Sequence, residues 1–387
     1  MQLTPRQQLM QFAHVLQVSL FPTIEEEIGE LSPQARLFAS ALAMVHFGPQ
    51  LEKGRGAGRP SEDRCALAAA FLAKAVYNCL TTRQLIEQLR TNAQMRRLCG
   101  WNTASALPHE STFSRAFAEF AQSELPQMLH RALIAATQSE RLIGHISRDS
   151  TAIEARERFP RAAIQPSKAT AKNKPARKKK YKKRPQRAKA SERGTQIERQ
   201  RTMPLEKMLA ELPKQCAIGV KKSSKGHQTY WRGYRLHLDV ADGQIPISAI
   251  LTGANVHDAT VAIPLMTMSA QRVTWLYDVM DSAYDANAIL DQCATMNHVP
   301  IVQPHPRRNG KSKSILPKIF QPKVAPEMTW AQKDRFKERT TIERVNARLK
   351  DEFGARHVRV RGAAKVFAHL AFGLIALTVD QLIRLTG

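Results

Sequence analysis

The sequence FKERTTIERVNARLK, residues 336–350, predicts an amphipathic helix that joins a hydrophobic core to a charged surface. It contains neither glycine nor proline and ends shortly before Gly354, as helices often do. At ~100° per residue, one stripe of the helix carries the apolar side chains of Ile342, Val345, Leu349 and Phe353. A second stripe, roughly a quarter-turn away, carries Phe336, Arg339, Glu343 and Lys350.

The charged stripe has two interpretations. Charged amphipathic helices are common, so this face can be a solvated surface stabilised by ion pairs between residues four apart. Alternatively, Arg339, Glu343 and Lys350 point together at a phosphate and a divalent metal ion. These fifteen residues alone fit both interpretations.

The spacing of the charged stripe resembles the YREK signature of the DDE transposases of bacterial insertion sequences. Arg339, Glu343 and Lys350 keep that spacing, whereas Phe336 stands where the family has tyrosine and lacks its hydroxyl group. The resemblance implies an RNase H-like catalytic domain. Its expected cofactor is Mg²⁺, or Mn²⁺ in its place, as a pair of ions.

The charge of the chain predicts a polyanionic partner. Its 387 residues contain 59 Lys and Arg against 33 Asp and Glu, a formal net charge of +26. Residues 166–193 hold thirteen basic residues and one acidic residue, and the rest of the chain still has 46 against 32. Nucleic acid is therefore favoured over an anionic membrane.

The composition also argues against secreted and membrane proteins. Five separated cysteines without a CxxC pair fit a reducing cytosol and no structural zinc. The N-terminal sequence MQLTPRQQLM lacks the apolar segment of a signal peptide. The apolar run 370–379 is too short to span a bilayer and predicts a buried helix. The expected location is the bacterial cytoplasm, in association with the nucleoid.

The order of predicted elements gives an α/β fold preceded by helices. The predicted regions are an N-terminal helical segment (1–60), a helical domain for DNA binding or dimerisation (61–138), and a catalytic domain (139–387) with basic insertions at 165–200 and 304–332. The predicted strands are 142–151, 230–240, 245–251, 273–280 and 299–303, with a hairpin between the second and third. Periodicity supports the α/β class. The resemblance implies an RNase H-like mixed sheet of about five strands flanked by helices.

Three acidic residues follow predicted strands or lie on the helix after the last one. Asp149 is expected near the end of the first strand, Asp281 after the fourth, and Glu343 on the helix described above. Two magnesium ions ~3.5–4 Å apart can activate a nucleophile and neutralise a phosphate, and they need several carboxylates in one open site. Taken singly, an aspartate at a strand end is often only a turn or helix cap.

The resemblance extends to each acidic residue. The RDST sequence around Asp149 is similar to the first aspartate motif of the family, MDSAYDA around Asp281 to the second, and Glu343 to its glutamate. Asp258 and Asp278 are rivals for the second position, but alternation puts Asp278 and Asp281 on opposite faces of a strand. Asn255 and His257 could line the site, although a lone histidine in a loop is more often a hydrogen-bonding residue.

Several basic and aromatic residues are predicted to contact DNA. Arg339 and Lys350 would bind phosphates beside the scissile bond. The other candidates are Lys178, Lys179, Lys180, Lys182, Lys183, Arg184, Arg307, Arg308 and Trp330. The first six lie in a basic arm whose alternative role is a soluble linker. Trp330 would stack on an unpaired base, and its alternative is a core position.

These features predict a transposase that hydrolyses phosphodiester bonds at the ends of an insertion sequence and joins them to target DNA. Its partners would be double-stranded DNA, both terminal repeats and target, and a second copy of the chain on that DNA. Two alternatives remain open. One is a DNA-binding protein without activity, a transposase relic. The other is an RNase H-like nuclease that cuts without joining.

Overall fold

The computed structural model describes residues 5–47, 51, 62–157, 194–222, 227–303 and 328–386. Most of both predicted basic insertions lies outside these ranges. The DNA-binding candidates that fall outside them are Lys178, Lys179, Lys180, Lys182, Lys183, Arg184, Arg307 and Arg308.

The described residues form helices and strands in the order expected for an α/β fold. The helices are α1 (Pro5–Val15), α2 (Phe21–Ile28), α3 (Pro33–Met44), α4 (Arg64–Val76), α5 (Thr82–Thr91), α6 (Ala93–Leu98), α7 (Glu110–Gln122), α8 (Leu125–Gln138), α9 (Gln196–Gln200), α10 (Leu205–Glu211), α11 (Asp258–Ala270), α12 (Asn287–Thr295), α13 (Trp330–Phe336), α14 (Thr340–Asp351) and α15 (Ala363–Arg384). The strands are β1 (Leu142–Glu154), β2 (Ala217–Lys222), β3 (Gln228–Ala241), β4 (Ile245–Gly253), β5 (Thr274–Met280) and β6 (Val299–Val302).

The six strands form one mixed sheet. Its order is β2-β3-β1-β5-β6, with β4 paired to β3. Strand β1 lies parallel to β5 and antiparallel to β3, and β5 lies parallel to β6. The expected hairpin of β3 and β4 is confirmed. The predicted mixed sheet flanked by helices is therefore present, preceded by a helical region.

The structure adds two details to the predicted sheet. The mixed sheet of about five strands is confirmed, and the described residues add a sixth strand, β2, for which the sequence has no apolar pattern. The side chains of Ile218 and Val220 in β2 are 51% and 47% exposed, so this strand lacks the buried apolar face that marks the others. Asp149 is also not near a strand end, since β1 continues to Glu154 along the long partner strand β3.

Helices cover both faces of the sheet. Helix α11 packs on β3, β4 and β1, and α14 packs on β1 and β3 from the other side. Side chains alternate between faces along β1. The hydroxyl of Ser147 donates to the carbonyl oxygen of Glu338, just before α14, at 3.0 Å. Asp149, two residues after Ser147, therefore points to the same face of the sheet as α14.

Helix α15 lies at the centre of the hydrophobic core. It packs against α3, α4, α7, α8, α14 and β4. Its length and composition would allow it to cross a membrane, but 83% of its most apolar window is buried inside the protein, as in the core helix of a soluble protein. The prediction of a buried helix around residues 370–379 is confirmed.

The predicted helix 336–350 is interrupted. Helix α13 ends at Phe336, one 3₁₀ turn spans Lys337–Arg339, and α14 begins at Thr340. The Thr340 hydroxyl donates to the Lys337 carbonyl oxygen at 2.9 Å, three residues back, which fits the tighter turn. The predicted apolar stripe is confirmed, since Ile342, Val345, Leu349 and Phe353 are all buried.

A short turn separates β5 from the helix that follows it. Residues Ser282–Tyr284 form a 3₁₀ turn, and α12 starts at Asn287. The Asp281 carboxylate accepts a hydrogen bond from the Ala283 amide at 2.8 Å and caps this turn. The chain therefore turns at the end of β5, before α12 begins.

Candidate active site

The sheet register brings Asp149 and Asp281 together. In the parallel pair of β1 and β5, Arg148 is the partner of Met280, and β5 ends there. Asp281, the next residue, therefore lies beside Asp149, in the middle of β1. Neighbouring strands lie about 4.8 Å apart, so the two carboxylates occupy one notch in the sheet where β5 stops.

The two carboxyl groups share an unfavourable electrostatic environment. Burial raises the pKa of Asp149 to about 6, and the negative charges of Asp281 and Asp258 add to this effect. Burial also raises the pKa of Asp281, again with a contribution from Asp258. Neither Asp149 nor Asp281 forms an ion pair with any described residue. The notch thus concentrates negative charge that a cation would stabilise.

Asp258, at the start of α11, is the third carboxylate near the notch, but it is fully engaged. It accepts hydrogen bonds from the Ser150 hydroxyl at 2.6 Å and from Arg235 at 2.9 Å. Burial raises its pKa, but its interactions with His237, Arg235 and Ser150 hold the pKa below its ordinary value. Asp258 therefore lies at the edge of the notch, and its charge is already neutralised by its own partners.

Glu343 is linked to the notch through Arg339. Its carboxylate accepts from the Arg339 guanidinium at 2.8 Å, and its side chain is 53% exposed. The charge of Arg339 in turn lowers the pKa of both Asp149 and Asp281, which places the guanidinium among all three acids. The ring of Phe336 lies under the same guanidinium, 5.8 Å from its centroid. Position 336 thus supports Arg339 without a hydroxyl group.

Family comparisons agree with this geometry. Residues 143–379 match a family model described as a transposase DDE domain. The chain belongs to this DDE transposase family. Residues 26–119 match a second model, described as a transposase domain (DUF772). Searches of curated proteins and of solved structures gave no match. The predicted resemblance to DDE transposases is confirmed, and membership of the YREK branch stays a prediction.

Members of the DDE transposase family generally depend on divalent metal ions. Within the described residues, no group of three or more His, Cys, Asp and Glu is close enough to hold a metal. The chemistry of the notch still fits a divalent metal ion, because Asp149 and Asp281 offer carboxylate oxygens that form no ion pair with a described residue. Glu343 would complete the set if its carboxylate left Arg339.

The transposase motif around Asp281 contributes a further group whose position sequence reasoning did not give. Tyr284 is fully buried, and its hydroxyl has no hydrogen-bond partner among the described residues. Burial raises its pKa well above the ordinary value, and the charges of Asp258, Asp149 and Asp281 act in the same direction. The MDSAYDA sequence contains this residue, but only the 3₁₀ turn brings its hydroxyl next to the carboxylates.

The rival residue Asp278 serves a different purpose in this transposase. It is fully buried on β5 and pairs with Arg148 at 3.0 Å. Arg148 also pairs with Asp239 at 2.7 Å, and His298 lies 3.2 Å from Asp278. This closed cluster lies on the opposite face of β1 from Asp149 and leaves Asp278 no room for a ligand.

The remaining predicted residues lie on the surface around α13 and α14 or near the start of α11. Trp330, the first residue of α13, is 82% exposed, so the alternative of a core tryptophan is wrong. Lys350 is half-buried, and its pKa is lowered by burial and by the nearby charges of Arg356 and Lys221. His257 caps α11 by accepting from the Ala259 amide at 3.3 Å, and it also lies near Asp281.

Proposed function

We propose that the chain cleaves DNA at the ends of an insertion sequence and transfers the freed strands to target DNA. The observation that carries this proposal is the notch at the end of β5, where Asp149 and Asp281 lie together without a cationic partner. Membership of the DDE transposase family supplies the class of substrate. The proposed location, the cytoplasm in association with the nucleoid, follows from that substrate.

In this proposal Asp149, Asp281 and Glu343 hold divalent metal ions, Mg²⁺ or Mn²⁺. When bound, such ions lower the pKa of the attacking water or 3′-hydroxyl and neutralise charge on the phosphate. The raised pKa of Asp149, about 6, means that its carboxyl group must lose a proton before it can act as a ligand. Asp258 stays on its own partners and limits the space beside the other two.

Arg339 has two successive partners in this arrangement. In the structure its guanidinium binds Glu343 at 2.8 Å, which keeps both side chains beside the notch. With the Glu343 carboxylate among the residues that would hold the metal, the Arg339 guanidinium would be free to bind a phosphate oxygen of the scissile strand. Lys350, two turns further along α14, would bind a neighbouring phosphate.

The remaining DNA contacts are proposed from charge and exposure. Trp330 is exposed at the start of α13 and can stack on an unpaired base. The basic arm with Lys178–Lys180 supplies cations that can follow the backbone of double-stranded DNA. Cleavage at two ends requires two active sites, so we propose that two copies of the chain act together on the DNA.

Single substitutions in the notch test the chemistry. Asp149→Asn, Asp281→Asn and Glu343→Gln should each lower Mg²⁺-dependent cleavage of DNA carrying the element ends by at least about 10³-fold, because each removes a metal ligand. DNA binding should be retained. Asp291→Asn, at an exposed ion pair with Arg201, is the matched control and should cleave normally. A notch variant that cleaves like the wild type would remove that residue from the site.

The products of the same assay separate the three candidate functions. Joined DNA identifies a transposase, and DNA that is cut but not joined identifies a nuclease. Bound DNA that is neither cut nor joined, with Mg²⁺ and with Mn²⁺, identifies an inactive relic and would overturn the proposal.

A further inference from the structure

A cleft away from the candidate active site concentrates positive charge between the helical region and the sheet. Its volume is about 370 Å³. The walls come from α4, the start of α5, the start of α7, the segment after β1, the segment between α14 and α15, and α15 itself. The charged side chains in these walls are Lys74, Arg83, Glu110, Arg156 and Arg359.

Lys74 is the unusual member of this set. It lies on α4 among alanines and other apolar residues, and only 7% of it is exposed. No described residue forms an ion pair or a hydrogen bond with its ammonium group. Burial lowers its pKa to about 8. A largely buried lysine without an anionic partner destabilises a fold, so its presence beside an open cleft indicates a missing anionic partner.

The other walls supply more positive charge. Arg156 and Arg359 form no ion pair with a described residue, and only Arg83 is paired, with Glu110 at 3.2 Å. The first turn of α5 also faces the cleft, through Thr81 and Thr82. The Thr81 hydroxyl accepts from the Gln84 amide, which leaves the preceding amides of the turn available to an anion.

The cleft lies at the end of a row of cations that begins at the candidate active site with Arg339 and Lys350. Arg339 lies between Glu343 and Asp149, and Lys350 lies near Glu154, so α14 runs alongside the second half of β1. Arg156 follows Glu154 by two residues and lines the cleft. Arg156 is seven positions after Asp149, so the distance between their Cα atoms is at most about 25 Å. One turn of duplex DNA is about 34 Å long.

We propose that this cleft binds a backbone phosphate of the DNA substrate, less than one duplex turn from the cleaved bond. Lys74 supplies the buried charge, Arg156 and Arg359 close around the phosphate oxygens, and the first turn of α5 adds backbone amides. The contact carries no sequence information, because a phosphate is common to all nucleotides. It would fix the register of the duplex against the notch. This inference rests on the proposed function only for DNA as the polyanion.

The salt dependence of DNA binding tests the contact. Affinity for a fluorescent 30-base-pair duplex of random sequence is measured by anisotropy from about 50 to 300 mM NaCl, without divalent metal. Lys74→Gln should weaken binding about tenfold at 0.1 M salt and reduce the slope of log K against log salt by about one, as for one lost phosphate contact. Lys207→Gln, an exposed lysine on α10, is the matched control and should leave both unchanged.

A wild-type slope in a folded Lys74→Gln variant would overturn the proposal. Thermal melting checks the fold of each variant. If Lys74→Gln does not fold, Arg359→Gln and Arg156→Gln should each reduce the slope by a similar amount, and wild-type slopes in both would overturn the proposal equally. These binding assays contain no metal and no cleavage step. Their failure is therefore distinguishable from failure of the cleavage assay.

Added inorganic phosphate tests whether the cleft binds a backbone phosphate of DNA or a free anion. In chloride buffer of matched ionic strength, added phosphate should weaken DNA binding of the wild type more than that of Lys74→Gln, because the anion competes for the cleft. If phosphate instead raises the melting temperature of the wild type alone, while Lys74→Gln binds DNA with an unchanged slope, the cleft binds a free anion and not DNA.

Discussion

Arg148 and Asp149 are neighbours on β1, and each belongs to a different group of charged residues on opposite faces of that strand. On one face, Arg148 is buried between Asp239 and Asp278, so every charge has an opposite charge within 3.0 Å. At the notch, Asp149 and Asp281 are also largely buried but lack such a partner. The closed group stabilises the sheet, whereas the open group leaves its charge for a ligand to neutralise.

The closed group gives the largest expected effect on stability. Arg148→Met removes the guanidinium group that pairs with two fully buried carboxylates, and it should lower the free energy of unfolding by about 3–5 kcal/mol. Urea denaturation measures the change. Arg36→Met, at a surface ion pair with Glu25, is the matched control and should cost less than about 1 kcal/mol. Equal losses in both variants would mean that the closed group is not a structural charge cluster.

A substitution in the open group should change the free energy of unfolding in the opposite direction. The pKa of Asp149 is raised from an ordinary 3.8 to about 6, so its charged form destabilises the folded state above pH 6 and this cost disappears below about pH 4. Asp149→Asn should therefore be more stable than the wild type by roughly 3 kcal/mol at pH 8 without metal. The gain should shrink as the pH falls from 6 to 4.

Urea denaturation at pH 8 and pH 4 gives both values. Asp291→Asn serves as the control, because this carboxyl group is exposed. Its free energy of unfolding should stay close to that of the wild type at both pH values. An Asp149→Asn variant that is less stable than the wild type at pH 8 would show that the carboxylate has a stabilising partner and that the notch is closed.

The smallest expected effect comes from the tyrosine beside the notch. Tyr284→Phe removes a buried hydroxyl without a described partner, so the free energy of unfolding should change by less than about 0.5 kcal/mol or should rise. Tyr234→Phe is a matched comparison, because that buried hydroxyl donates to Glu157 at 2.7 Å, and it should cost about 1–2 kcal/mol. Equal costs would show that the Tyr284 hydroxyl is hydrogen-bonded in solution.

The sequence predicts those parts of the fold that have a strong apolar pattern. Strands β1, β3, β4, β5 and β6 and one stripe of α14 all carry apolar side chains that the structure buries. Strand β2 has no such pattern, because its apolar residues face solvent. The break before α14 coincides with a hydrogen bond from the Thr340 hydroxyl to the Lys337 carbonyl oxygen, which residue spacing does not reveal.

For the candidate site, the sequence indicates which residues belong to motifs but not which of them are already paired. The four candidate aspartates have the same side chain: Asp149, Asp258, Asp278 and Asp281. Only their neighbours in the folded structure show which carboxylates are already paired and which remain without a partner. The cleft around Lys74 illustrates the same limit. A lone lysine in an apolar helix is visible in the sequence, but the arginines opposite it come from segments far along the chain.

The central position of α15 also affects how the protein is made. Helices α4 and α8 bury their apolar faces against α15, which is synthesised much later than either of them. Until then those faces have no permanent cover, and the emerging chain is prone to aggregate or to need a chaperone. Contacts between segments so distant in sequence also slow the search for the native state. The helical region can therefore complete its folding only after α15 has been synthesised.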